Sequence, residues 1–145
     1  MEYKSTDELI HEIKSATDFE DYLEKNKENM LCSDLAGHLN MLLSEKGMKK
    51  SEVIRRSLLG RAYVYKIFSG EKIPSRDKLL ALAFGLGLST EETRKMLKLS
   101  GNRELYARDE RDALILFALQ REKTIFETNE LLYEHKLAIL NTSKE

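Results

Sequence analysis

The residues in this 145-residue chain whose types and spacing could do chemistry are cations on two short helical segments. Lys49, Lys50, Ser51, Arg55 and Arg56 fall in the first segment, and Arg61, Ala62, Tyr65 and Lys66 in the second. Lys72 and Arg76 follow directly. The chemistry they offer is neutralisation and hydrogen bonding of a polyanion, because a protein that neutralises phosphates releases their counterions. The ordinary alternative is a solvated helix face, and charge alone leaves both open.

The charge is unevenly placed. Residues 1–45 carry 4 Lys+Arg and 11 Asp+Glu, residues 46–80 carry 10 and 3, and residues 81–145 carry 10 and 11. An acidic arm therefore precedes a basic middle, inside a chain whose formal net charge is −1. No P-loop, GxGxxG, HExxH or GxSxG motif occurs, so catalysis has no constellation to rest on and the expectation is a non-enzyme. His11, His38 and His135 stand apart from one another and from the single Cys32, at no metal-ligand spacing, so neither metal nor cofactor is expected. One cysteine excludes an intrachain disulfide and suits a reducing cytosol. No apolar run reaches membrane-spanning length. The acidic amphipathic start does not read as a secretory signal.

The elements that must position the cations read as helices. A single Pro, no Trp and little β-branched clustering favour an all-α chain. Thr6 is the expected cap of a first helix, and Thr17–Glu20 has capping-box spacing for a second. Ser33 is the expected cap of a helix through about Glu45, with Leu35, Leu39, Leu42 and Leu43 on one stripe. Ser51 is expected to begin the next helix, with Val53 and Ile54 inward. Leu58-Leu59-Gly60 breaks it. Arg61 to Phe68 follows, with Val64, Ile67 and Phe68 inward, and Gly70 ends it. Ile73-Pro74-Ser75 is an extended lead into a helix carrying Leu79, Leu80, Ala83 and Leu86. Thr90 starts another helix, bearing Met96 and Leu97 and closed by Gly101. Asp112–Gln120 is apolar almost all round, so it should be buried on more than one side. Thr124–Glu127 is a further capping box, ahead of Leu131, Leu132 and Leu137. No tandem repeat is expected.

Residues 34–100 resemble the phage-repressor/Cro-like, Xre-type helix-turn-helix family. The resemblance rests on Val53, Val64, Ile67, Gly70, Pro74 and the LLALAFGLGLS stretch. It implies a five-helix bundle whose second helix is Ser51–Ser57 and whose recognition helix is Arg61–Phe68. It also implies base reading by Arg61, Ala62 and Lys66, with Tyr65 on the same side, and backbone contacts near Lys50 and Ser51. Three positions depart from the family pattern. Ile54 stands where Ala is usual at a close helix crossing, Leu58 where Gly is usual in a positive-φ turn, and Phe68 where Glu is frequent. A non-Gly residue in the left-handed region costs about 1–2 kcal/mol.

The fold expectation is thus an all-α, five-helix repressor-like bundle with flanking N- and C-terminal helices. Its parts are an acidic helical arm at 1–32, the helix-turn-helix domain at 33–100, and an extension at 101–145 for packing or dimerisation. The functional expectation is a sequence-specific double-stranded DNA-binding regulator, cytoplasmic and homodimeric. The other class is a protein-interaction module on the same fold. The arm is expected either to restrain DNA binding or to meet a protein partner.

Overall fold

A computed structural model describes residues 4–26 and 35–142, and its described residues form helices and no strands. In order these are α1 (Thr6–Ser15), α2 (Phe19–Lys25), α3 (Leu35–Glu45), α4 (Lys50–Ser57) and α5 (Arg61–Ser69). Then come α6 (Arg76–Leu86), α7 (Thr90–Leu99), α8 (Glu110–Gln120) and α9 (Ile125–Glu134). None is long and apolar enough to cross a membrane.

The helix starts differ from the sequence expectation by a residue or so. Ser5 rather than Thr6 caps α1, its side chain accepting the Glu8 N–H. Asp18 rather than Thr17 caps α2, accepting the Glu20 N–H; no box forms with Thr17. Helix α4 starts at Lys50, where the Glu52 carboxylate reaches back to the Lys49 N–H. Ser33 and Cys32 lie outside the described residues.

Helices α3 to α7 form the five-helix bundle, and α8 and α9 share its core. Leu39, Val53, Val64, Ile67, Leu79, Leu80, Met96 and Leu97 lie in one buried cluster with Ile115, Ala118, Ile125, Leu132 and Leu140. Helix α6 is buried from Lys78 to its end, with Arg76 and Asp77 half-buried at its start. That explains why every residue from Leu79 to Leu86 is apolar or glycine, rather than apolar on one stripe only. It packs on α4 on one side and on α7 and α9 on others.

The close crossing of α4 with α6 is made possible by Gly85. A Cβ there would stand 2.8 Å from the Ser57 Cβ and 2.9 Å from the Val53 carbonyl oxygen. The small residue that the family resemblance placed at Ile54 is thus supplied from the opposite helix, and Ile54 is half-buried against the core.

The expectation of no repeat is corrected by the structure. Hairpin α6–α7 recurs as α8–α9, with equivalent residues 35 positions apart from the Arg76 and Arg111 pair onward, although α8 itself begins one residue earlier, at Glu110. The Ser89–Glu92 and Thr124–Glu127 capping boxes coincide. Thr93 and Thr128 are both buried, and each donates its hydroxyl to the cap-residue carbonyl at 2.8 Å. The turns coincide as well. Gly87 and Glu122 have φ of 64° and 54°, Gly101 and Lys136 of 78° and 59°.

The join between the hairpins is reciprocal. Arg76 makes a two-pronged pair with Asp112, Nη1–Oδ1 at 3.1 Å and Nη2–Oδ2 at 2.9 Å. Arg111 makes the same pair with Asp77, at 3.1 and 3.0 Å. Each arginine also donates to two carbonyls at the exit of its own hairpin: Arg76 to Arg103 and Glu104, Arg111 to Ala138 and Ile139. Helix α6 packs on α9 while α7 packs on α8. Exchanging the hairpins leaves these contacts unchanged, the signature of a local two-fold relation.

Candidate nucleic-acid interface

Helix α5 divides its residues by face. Val64, Ile67 and Phe68 are buried, whereas Arg61, Ala62, Tyr65 and Lys66 are exposed. The 3.6-residue period places 61, 62, 65 and 66 side by side on one outer stripe. Gly60 is the N-cap of α5, and no acidic side chain occupies the first turn. The positive end of the helix dipole therefore meets solvent beside Arg61.

Helix α3 secures the far end of α5. The Asn40 amide donates to the Phe68 carbonyl at 2.8 Å and to the Ala36 carbonyl at 2.8 Å. Gly70 then ends α5 with φ of 87°. Phe68 is buried in the core, which is the local reason an apolar residue stands there.

The link between α4 and α5 is strained. Leu58 closes α4 with φ of 62° and ψ of 14°, in the left-handed region, and its side chain is 49% exposed. The Ser57 hydroxyl accepts the Leu59 N–H at 3.3 Å, and Leu59 is buried. Leu59 therefore anchors the turn while Leu58 bears the unfavourable backbone angle.

Tyr65 is a convergence point. The Lys50 Nζ lies 5.0 Å from its ring centroid and the Arg61 guanidinium carbon 5.4 Å. Lys50 also stands 5.8 Å from the Phe68 ring. Cations at this range are attracted to the ring face. The start of α4 and the start of α5 are thereby joined by one aromatic plate. That arrangement needed Tyr65 four residues after Arg61 and on the side facing Lys50.

The other sequence candidates scatter. Lys49, Ser51 and Arg55 are exposed on α4. Arg56 is exposed too, but its guanidinium lies over Gly87, with Nη2 3.3 Å from where a Cβ would stand. Lys72 is half-buried, its Nζ 5.7 Å from the Tyr63 ring. Tyr63 also faces the Lys78 ammonium at 5.4 Å, so it packs beneath α5 among cations.

Arg76, read from sequence as a phosphate contact, is engaged elsewhere. Its guanidinium is taken by Asp112 and by the Arg103 and Glu104 carbonyls. Burial pushes the Asp112 carboxyl up. Hydrogen bonds from Arg76 and the Tyr106 N–H, with the charges of Arg76 and Arg103, outweigh it and hold the carboxyl below its ordinary value. No local signal near Arg76 announces a partner that lies beyond α7.

Two short helices, a tight turn and an exposed basic second helix inside a five-helix bundle define the domain. Residues 38–92 match the Cro/C1-type HTH DNA-binding domain. No curated protein and no solved structure gives a match. The match to the Cro/C1-type domain begins in α3 and ends within the first turn of α7. It therefore includes α4, α5 and the Gly85 crossing, and it supports a DNA-binding regulator. The C-terminal α8–α9 hairpin lies beyond it.

Proposed function

We propose that this chain is a sequence-specific regulator that binds double-stranded DNA as a homodimer, with α5 as its recognition helix in the major groove. The observation that carries the reading is the split of α5: four outward residues, Arg61, Ala62, Tyr65 and Lys66, stand free of the core that Val64, Ile67 and Phe68 enter. Recognition helices present their N-terminal residues to base edges. Arg61 suits a two-pronged bond to guanine O6 and N7, and Ala62 a thymine methyl. Lys50 and Ser51 sit at the start of α4, suited to anchor the sugar-phosphate backbone. Lys49, Arg55 and Lys72 add positive charge. Arg76 is assigned to the fold instead, and Arg56 is oriented toward the α6–α7 turn.

A homodimer would set two recognition helices roughly 34 Å apart, one turn of DNA, and call for a near-palindromic site. The test is selection from random duplex pools, followed by Arg61→Ala and Lys50→Ala on the selected site. Arg61→Ala is expected to cost about 1–3 kcal/mol and relax preference at one base pair. Lys50→Ala is expected to weaken all sequences alike. Unchanged affinity and base preference in Arg61→Ala would refute the assigned readout. Absence of any duplex binding by the intact chain would leave the interaction-module reading.

A further inference from the structure

The two sister hairpins allow a direct comparison of surfaces. On α7, Arg94 bonds Glu91 and Glu104, each at 3.3 Å, and Lys98 lies one turn further on. All are charged and solvated. Thirty-five residues later the same places hold Asn129, Phe126, Ile139 and Tyr133. Phe126 is 63% exposed, Tyr133 79% and Ile139 50%. The Glu91–Arg94–Glu104 triad is contiguous, so its counterparts Phe126, Asn129 and Ile139 are neighbours too. Asn129 is tied to the backbone of Leu140, accepting its N–H at 2.8 Å.

The sister hairpin shows that the fold accepts charges at these positions. Their apolar character in α8–α9 is therefore not demanded by the core, which Ile125, Thr128 and Leu132 enter instead. Exposed apolar residues gathered on one face in this way mark interaction sites.

We propose that the face formed by Phe126 and Tyr133 of α9 with Ile139 of the segment after it is the seat of a second copy of this chain. The inference rests on the dimer reading above and narrows the interface, within the 101–145 extension, to the outer face of α9 and the segment that follows it. Helix α8 has its Ile115, Ala118 and Leu119 already buried within the chain. At these exposures the three side chains offer on the order of 400 Å² of apolar surface. A stable dimer buries about 800 Å² per partner, a little over half of it apolar, so the face supplies the apolar part. Its rim mixes Lys123 and Lys136 with Glu127, Glu130 and Glu134, which gives no net positive charge to attract nucleic acid or anionic lipid. Phe126 and Tyr133 stand two turns apart, roughly 10.5 Å. Two α9 helices crossing antiparallel about a two-fold axis near Asn129 set each Phe126 against the Tyr133 of the second copy. The face is thus complementary to itself, as a two-fold interface must be.

The test gives the full chain the residues of its own sister hairpin: Phe126→Glu, Tyr133→Lys and Ile139→Glu together. Sedimentation equilibrium reads the mass, and a thermal melt checks the fold. The wild type is expected to be a dimer. The variant is expected to be a monomer, with dimerisation weakened about thirtyfold or more for each lost aromatic anchor. A wild type that stays monomeric to about 100 µM, or a variant that stays dimeric, overturns the proposal. Should the triple variant not melt cooperatively, Tyr133→Lys alone decides, and a folded Tyr133→Lys with unchanged dimerisation overturns it equally. Both proteins are also titrated with a random duplex of about two helical turns. Failure of both to bind would sink the DNA reading while leaving the mass result to judge the interface.

Discussion

The two Arg–Asp pairs joining the sister hairpins are alike in chemistry and unlike in burial, so mutating them separates those factors. Asp112 is 1% exposed, and its carboxylate accepts two bonds from Arg76 and one from the Tyr106 N–H. Asp112→Ala removes a fully buried carboxylate, leaving the Arg76 guanidinium, whose side chain is 17% exposed, without its counter-charge and a backbone N–H without its acceptor. Breaking a buried pair in this way costs about 3–5 kcal/mol. Asp77 and Arg111 keep 30% and 21% of their side chains in solvent, so water screens the loss. Asp77→Ala should cost about 1 kcal/mol. Urea melts of both variants, compared at equal m, measure the difference, expected at about 3 kcal/mol. Equal losses within about 1 kcal/mol would refute the view that burial sets the value of the clamp. The pH dependence has a fixed sign. The folded carboxyl of Asp112 is held below its ordinary value, so its contribution is full above that value and is lost as pH falls through the folded pKa. The stability gap between wild type and Asp112→Asn should therefore close below about pH 4, and a gap that persists in acid would count against the charge argument.

Two further outcomes are expected. Leu58→Gly should raise stability by about 0.5–1 kcal/mol, because relief of about 1–2 kcal/mol of left-handed strain exceeds the added freedom of the unfolded glycine. A lower urea midpoint would show that the half-exposed Leu58 side chain matters more than its backbone. Deleting residues 1–32 should tighten non-specific DNA binding and steepen its salt dependence, since a tethered polyanion competes with phosphate. Unchanged binding by a folded truncation would make the arm a partner site or cap instead.

Much of the α3–α7 bundle can be read from the chain because its signals are local. The α5 stripe, the glycine after it and the Pro74-Ser75 lead-in each act within a turn or two. Leu58 is legible through its departure from the family pattern: a leucine where glycine is usual holds φ of 62°. Features resting on distant partners are not legible. Arg76 looks like one more cation because Asp112, which claims it, lies on the far side of α7. The duplication escapes for a related reason. It survives in hydrogen bonds and turn angles, while residue identities have changed, as in Leu82 and Phe117 in the helices or Gly87 and Glu122 in the turns. The family pattern points to Ile54 for the small residue at the α4–α6 crossing, but packing at a crossing constrains the pair, and Gly85 satisfies it from the other side.

The pervasive burial of α6 has a consequence for how the protein comes apart. One flank of this helix sets the position of α4, and another is sheltered from water by α9. Peeling α9 away would wet the flank of α6 that it covers, and the same loss would loosen the seat of α4 and, through the Leu59 anchor, the angle of α5. Residues 38–92 are therefore expected not to melt as a module independent of the α8–α9 hairpin. Heat, a protease or a destabilising change in that hairpin should extinguish DNA binding and helicity in a single transition.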